Sequence, residues 1–311
     1  MTKQAETHTV ELRGVSKRYG AIEAVRDVSF SLPSGETVAL VGHNGAGKTT
    51  LLKLMLGLIH PSAGTLGVLG ENPAAGEFAA RRALGYLPES VSFNAALTGR
   101  EILGFYARLK REPVASALPL LDKVGLGAAA GRRVGTYSKG MRQRLGLAQA
   151  LIGEPKVLLL DEPTTGLDPA LRLSFYEIVE ELRGRGATVV LCSHALTEIE
   201  ERARRVIIMN RGVMVAHGSM DELRRLASLP TRIRLKVLPK ANGATAHWLE
   251  PVAQWREVHG GLIEIEAGQD EKLALLRRAT APDAPFEDVE VFPPTLDELY
   301  AHFLQRQEAT R

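Results

Sequence analysis

At 311 residues, with 45% hydrophobic and 24% charged positions, the chain has the composition of a packed globular protein and the length for one large domain plus a small appendage, which excludes disordered and fibrous classes. The net charge is +3 and the pI about 9.0, but Lys and Arg are scattered among Asp and Glu, a pattern that argues against nucleic acid as the partner. The longest apolar runs, Val157–Leu160 and Val189–Cys192, fall well short of the roughly 20 residues that cross a bilayer. A single cysteine, Cys192, fits a reducing cytoplasm, and the polar stretch Met1–Val10 has no secretory pattern, so the chain is expected to stay on the side where it is made.

The first informative element is the apolar run Thr37–Val41, of strand type, followed at once by Gly42, His43, Asn44, Gly45, Ala46, Gly47, Lys48, Thr49 and Thr50, and then by an apolar helical stretch ending at Gly57. In this strand, loop and helix, Gly42, Gly45 and Gly47 permit a tight turn whose N–H groups and helix start face a phosphate chain. Lys48 then falls on the β- and γ-phosphates of a nucleotide, and Thr49 offers its hydroxyl to Mg²⁺. Further on, Thr98 with Glu101 predicts a capped helix whose apolar face is Ile102, Phe105, Tyr106 and Leu109. Val157–Leu160 reads as a strand ending in Asp161 and Glu162. Parallel strands present ligands at their carboxyl ends, so these acids can share an edge with the phosphate loop. Asp161 is placed to hold Mg²⁺ through water, and Glu162 to orient or deprotonate an attacking water.

Val189–Cys192 is another strand, in which Cys192 is a small buried residue, and Val206–Met209, Asn210–Gly212 and Val213–Ala216 read as a hairpin. Met209, Met214, His217 and Met220 fall on this hairpin and the helix after it, and are read as core and turn residues, not copper ligands. Helix Met220–Leu226 then closes the large domain near Pro230. Beyond it, Ile233, Leu235 and Val237 alternate with basic residues. Leu262–Glu266 and Val289–Val291 repeat the strand signal, and Thr295 with Glu298 caps a helix with Leu296, Leu299, Tyr300, Phe303 and Leu304 on one face. This is a small α+β domain of about 80 residues.

The run TYSKGMRQRLGLAQALIGEP, Thr136 to Pro155, precedes Asp161 and Glu162 as the signature sequence does in ABC ATPases, and the chain resembles that family. Tyr137-Ser138-Lys139-Gly140-Met141 stands for its usual LSGGQ. By resemblance, Ser138 and Gly140 donate to the γ-phosphate of ATP held by another copy, which implies a homodimer with two shared ATP sites. Tyr19 matches the aromatic that stacks on adenine, although a lone Tyr is otherwise a packing residue. His194 matches the histidine that senses the γ-phosphate, and Asp168 the loop that links the two sites, where it can also cap the helix starting at Pro169. Glu89 stands where most members have glutamine, so it either touches Mg²⁺ and the water or serves in coupling to a membrane partner.

The implied fold is α/β: an ABC ATP-binding domain over 8–229, with a mixed-sheet core and a helical subdomain at about 90–150, and a C-terminal α+β domain over 230–311 of regulatory or dimer-stabilising role. In such proteins a short helix of the membrane permease docks in a groove, expected here near Glu89 to Arg108. The wording of GHNGAGKTT, GYLPESVSF, GREILGFYARLK and LCSHAL is similar to the ATPases of NosDFY-type transporters, which serve the copper centres of nitrous oxide reductase. That resemblance implies transport of a copper- or sulfur-related species, a NosY-like permease, a NosD-like periplasmic partner and a place on the cytoplasmic face of the inner membrane. ATPases of drug or lipid exporters carry the same motifs. ABC ATPases that act on ribosomes or DNA usually carry tandem ATPase domains or coiled-coil insertions, and neither is seen here.

Overall fold

The computed structural model describes residues 8–75, 78–239, 241–252, 254–258 and 261–309. The polar start expected to lack a secretory pattern therefore lies, over 1–7, outside the described residues. The contacts divide the chain into two units, Met1–His217 and Gly218–Arg311. No helix among the described residues is long and apolar enough to cross a membrane.

In the first unit the strands are β1 (His8–Tyr19), β2 (Ile22–Pro33), β3 (Thr37–Val41), β4 (Ala63–Val68), β5 (Leu84–Leu87), β6 (Val157–Asp161), β7 (Thr188–Cys192), β8 (Arg205–Asn210) and β9 (Val213–Ser219), the last running just past the division. An antiparallel sheet has the order β2-β1-β4, and a larger one the order β5-β6-β7-β3-β8-β9. From β5 to β8 the neighbours of the larger sheet are parallel. Strands covered on both faces need no polar alternation, and every residue of β3, β6 and β7 is buried, which explains the continuous apolar runs of the sequence. Because β7 lies between β6 and β3, pairing Cys192 with both Asp161 and Leu40, the segments leaving all three strands emerge side by side at one edge. The apolar side chains of this sheet, of β1, β2 and of helix Lys48–Met55 form one core.

Between β5 and β6 the chain is helical. Helix Gly99–Leu109 starts with the expected capping box of Thr98 and Glu101. Its buried face differs from the expected one: Gly99, Ile102, Leu103, Gly104 and Ala107 are buried, whereas Phe105 and Leu109 are 50% and 64% exposed. Ile102 and Leu103 turn inward together with the small residues Gly99, Gly104 and Ala107, which leaves Phe105 and Leu109 at the rim. Lys110, just past its end, donates from Nζ to Leu84 O and Ile152 O, both at 2.8 Å, and burial pushes its ammonium down to about 8.

The second unit adds β10 (Thr231–Val237), β11 (Trp255–Val258), β12 (Leu262–Ala267) and β13 (Phe286–Phe292) in the antiparallel order β11-β12-β10-β13. Helices Asn242–Leu249 and Lys272–Ala279 complete a βαββαβ unit, the split βαβ arrangement. Helix Met220–Ala227 was expected to close the large domain near Pro230, yet it groups with this unit. Arg224 Nε donates to Pro294 O at 3.0 Å and Arg224 O accepts from Gln269 Nε2 at 3.3 Å.

One face of this sheet carries a row of paired charges. Glu264 is 2% exposed and accepts from Arg234 Nε at 2.7 Å and from Arg256 Nε at 3.1 Å, on the two flanking strands. The hydrogen bonds from Arg234 and then Arg256 outweigh burial and hold its carboxyl below the ordinary 4.5. A folded value below the unfolded one means that this contribution to stability is complete above pH 4.5 and is lost as the pH falls through the lower folded value. Glu264→Ala leaves two arginines facing each other, both partly in water, and is expected to destabilise the unit by about 1–2 kcal/mol. Urea unfolding at pH 7 and pH 4 measures both effects, and the variant should lose less than the parent on acidification.

Candidate active site

Gly47 starts the helix Lys48–Met55 from φ +103°, and a Cβ there would lie 2.6 Å from Ala24 O. Gly42 is constrained by space: a Cβ would meet Met209 O at 2.6 Å. The loop thus winds tightly between β3 and the helix, closed by a hydrogen bond from Ala46 N to His43 O at 3.1 Å. Lys48 is 8% exposed and its Nζ curls back over the loop, donating to Gly42 O and, at 3.2 Å, to His43 O. Those carbonyls occupy an ammonium built to meet stronger acceptors. His43 Nε2 lies 2.7 Å from Asn210 Oδ1, fastening the loop to the end of β8. Gly47→Ala sets a strained backbone against a fixed carbonyl and is expected to lower the unfolding free energy by about 1–3 kcal/mol in a denaturant titration.

The loop borders a cleft of about 560 Å³ whose lining runs from His43 to Thr50 and includes Tyr19. Tyr19 is 45% exposed, with Lys17 Nζ 5.2 Å from its ring centroid. A flat ring beside a phosphate-binding turn is suited to stacking on a base.

At the neighbouring strand ends, Thr49 Oγ1 donates to Asp161 Oδ2 at 3.4 Å. Burial above all, then the charges of Glu162 and Glu89, push the Asp161 carboxyl above its ordinary range against the opposing Thr49 and Lys48. Glu162, next in the chain, adopts φ +48°, rare for a residue with a side chain, and its N–H donates to Cys192 O at 2.9 Å. Its Oε1 lies 2.9 Å from His194 Nδ1, and the His194 side chain is 77% exposed. The sheet therefore gathers Lys48, Thr49, Asp161, Glu162 and His194, with Glu89 close enough to act on Asp161. Cys192 is fully buried behind them. No group of three or more His, Cys, Asp or Glu among the described residues is arranged to hold a metal unaided.

Ser138 and Gly140 stand elsewhere. Ser138 caps helix Lys139–Ala150, accepting from Met141 N at 3.2 Å, and the position of a Gly140 Cβ lies 3.4 Å from Gly166 O. Neither lines the cleft beside Lys48. Asp168 caps helix Pro169–Gly184 by accepting from Leu171 N at 2.9 Å. One connection escaped the sequence reading: Gln143 is 4% exposed and its Nε2 donates to Pro163 O at 3.1 Å, tying the helix begun by Ser138 to the turn after Glu162.

The family description "ABC transporter" matches residues 25–165. The ABC transporter ATP-binding protein YxlF of Bacillus subtilis is 40% identical over 245 residues, 78% of this chain and 79% of that one. Nod factor export ATP-binding protein I of Rhizobium sp. (strain N33) is 32% identical over 305 residues, 96% of this chain and 97% of that one. A solved ATP-binding subunit of an ABC transporter superposes with a TM-score of 0.67 at 32% identity, covering 70% of this chain and 92% of that one. Such subunits pair with one another and with a membrane permease. A nucleotide loop, carboxylates at the adjoining strand ends and relatives that match along nearly the whole chain lead to one conclusion: the chain belongs to the ATP-binding subunits of ABC transporters, enzymes that couple ATP hydrolysis to transport.

Proposed function

We propose that ATP is held between two copies of the chain, and that its hydrolysis drives a membrane permease. The observation that carries this reading is the separation of the half-sites: Lys48, Thr49, Asp161, Glu162 and His194 share one edge, while Ser138 and Gly140 lie with Gly166. Residues Gly42 to Thr50 receive the phosphates, with Lys48 leaving its loop carbonyls for the β- and γ-phosphates, and Tyr19 stacks on the adenine. Thr49, Asp161 and Glu89 supply hard oxygen donors suited to Mg²⁺, and the elevated Asp161 carboxyl marks a place where a cation relieves crowded negative charge. When bound, Mg²⁺ neutralises charge on the phosphates. Glu162 takes a proton from the attacking water as the bond from the γ-phosphorus to ADP breaks, and His194 donates to the γ-phosphate. Ser138 and Gly140 of the second copy complete the phosphate contacts, with Asp168 between the two sites.

The permease is expected to dock near Glu89 to Arg108, where Phe105 is exposed, and the resemblance supports a place on the cytoplasmic face of the inner membrane. The resemblance to NosDFY-type ATPases supports a copper- or sulfur-related cargo for nitrous oxide reductase, a NosY-like permease and a NosD-like periplasmic protein. The second unit then has a regulatory or dimer-stabilising role. The similarity to the Nod factor export ATP-binding protein I of Rhizobium supports a second reading, an exporter of another cargo. Purification of the tagged chain from detergent-solubilised membranes decides: a NosY-like permease supports the first reading, a different permease the second, and recovery with ribosomes or nucleic acid alone overturns both.

A further inference from the structure

The turn leaving Glu162, the helix begun by Asp168 and the helix after His194 converge on a buried polar cluster outside the roles assigned above. Thr164 is 7% exposed and Tyr176 6%. Thr164 Oγ1 lies 3.5 Å from Glu198 Oε2, and Arg172 Nε stands 4.0 Å from Glu198 Oε1. The Arg202 guanidinium sits 5.1 Å from the centroid of the Tyr176 ring. Arg172, Tyr176, Glu198 and Arg202 line a cleft of about 470 Å³ that is also bordered by Ala195, next to His194 in the chain.

Tyr176 Oη and Glu198 Oε1 are shielded from solvent and fall short of a well-formed hydrogen bond among the described residues, while the Tyr176 hydroxyl is near enough to Glu198 and Thr164 to interact with both. Buried polar atoms are costly while unpaired, so the Tyr176 hydroxyl and the Arg172 guanidinium are held toward Glu198. Burial, and then the charge of Glu198, raises the Tyr176 phenol above its ordinary range, so it stays a proton donor toward that carboxylate. Glu198 lies in the first turn of helix Leu196–Arg202, directly after His194, and Thr164 lies just after Glu162. The cluster therefore ties the turn after Glu162 to the helix that follows His194.

We propose that Tyr176, Thr164 and Glu198 are positioning residues: a polar latch that keeps His194 against Glu162, 2.9 Å apart. The inference rests on the reading that Glu162 and His194 act in hydrolysis. The latch touches neither ATP nor the attacking water, so it governs turnover and not nucleotide binding.

The test uses the full-length chain in complex with the membrane protein that copurifies with it. Tyr176→Phe and Glu198→Gln are each expected to lower kcat for ATP about tenfold while KM stays within about twofold. Thr164→Ser should retain turnover and Thr164→Val lose it. In a His194→Ala background, Tyr176→Phe should cost nothing further, the non-additivity expected of residues acting through one another. Should Tyr176→Phe prevent folding, Glu198→Gln and Thr164→Val carry the same comparison. Wild-type kcat in those variants, or a loss undiminished in the His194→Ala background, overturns the latch alone. Wild-type kcat in His194→Ala itself overturns the role given to His194, and the latch with it.

Discussion

Replacing Glu162 with glutamine is expected to lower ATP turnover by about 10²–10⁴-fold while leaving ATP binding intact and holding the dimer closed. Glutamine has the shape of glutamate and keeps an oxygen for the contact with His194 Nδ1, now 2.9 Å, so the geometry around the phosphate loop is preserved. What it lacks is basicity. A water lined up on the γ-phosphorus then has no acceptor for its proton, and ATP persists between the two copies. The backbone of Glu162, at φ +48° and anchored to Cys192 O, does not depend on the side chain, so the variant should fold as the parent does. Removing one negative charge beside Asp161 should also bring that carboxyl down toward its ordinary range, since Glu162 is one of the groups holding it up. Phosphate release by the permease complex measures turnover, and size-exclusion chromatography with ATP reads the closed dimer. Turnover within a few-fold of the parent would remove Glu162 from the role of base.

The edge at which Thr49, Asp161, Glu162 and His194 gather was legible in the sequence for a physical reason. Strands such as Val157–Asp161 and Thr188–Cys192 are buried on both faces, so they appear as unbroken apolar runs, and whatever follows them lies at one end of a parallel sheet. Caps were legible too, because Thr98 with Glu101 and Thr295 with Glu298 bond within their own turns. The buried face of helix Gly99–Leu109 was not. That helix is apolar around more than half of its circumference, and periodicity alone does not say whether Phe105 or Leu103 faces inward. In the second unit, helices Asn242–Leu249 and Lys272–Ala279 and the edge strand Trp255–Val258 escaped notice. The side chains of the edge strand are mostly exposed, helix Lys272–Ala279 buries only Ala279 fully, and neither it nor helix Asn242–Leu249 has a side-chain cap. The polar ties from Gln143 to Pro163 and from Thr164 to Glu198 join residues far apart in the chain, so no local pattern announces them.

The composite site makes a prediction that a self-contained site does not share. Lys48→Ala removes the cation of the phosphate loop, charge-assisted contacts worth about 1.5–3 kcal/mol each, and the variant alone should be nearly inactive. Gly140→Asp should be equally inactive alone, because a carboxylate at the start of helix Lys139–Ala150 repels the phosphates it would meet. Its folding should survive, since an acidic residue in the first turn suits the helix dipole, and the nearest atom to the new Cβ, Gly166 O at 3.4 Å, is at an ordinary contact distance. Mixed in equal amounts, the two variants should recover activity. In a head-to-tail pair containing one of each, one site combines both defects, while the other joins the intact loop of the Gly140→Asp chain to the intact Ser138 and Gly140 of the Lys48→Ala chain. Random pairing makes half of the dimers mixed, and each has one good site of two, so independent sites give roughly a quarter of the parent's hydrolysis. The assay is ATPase activity against mixing ratio, with a maximum expected near equality. If Ser138 and Gly140 only cap their own helix, neither chain has anything to lend the other, and every mixture stays at the level of its parts.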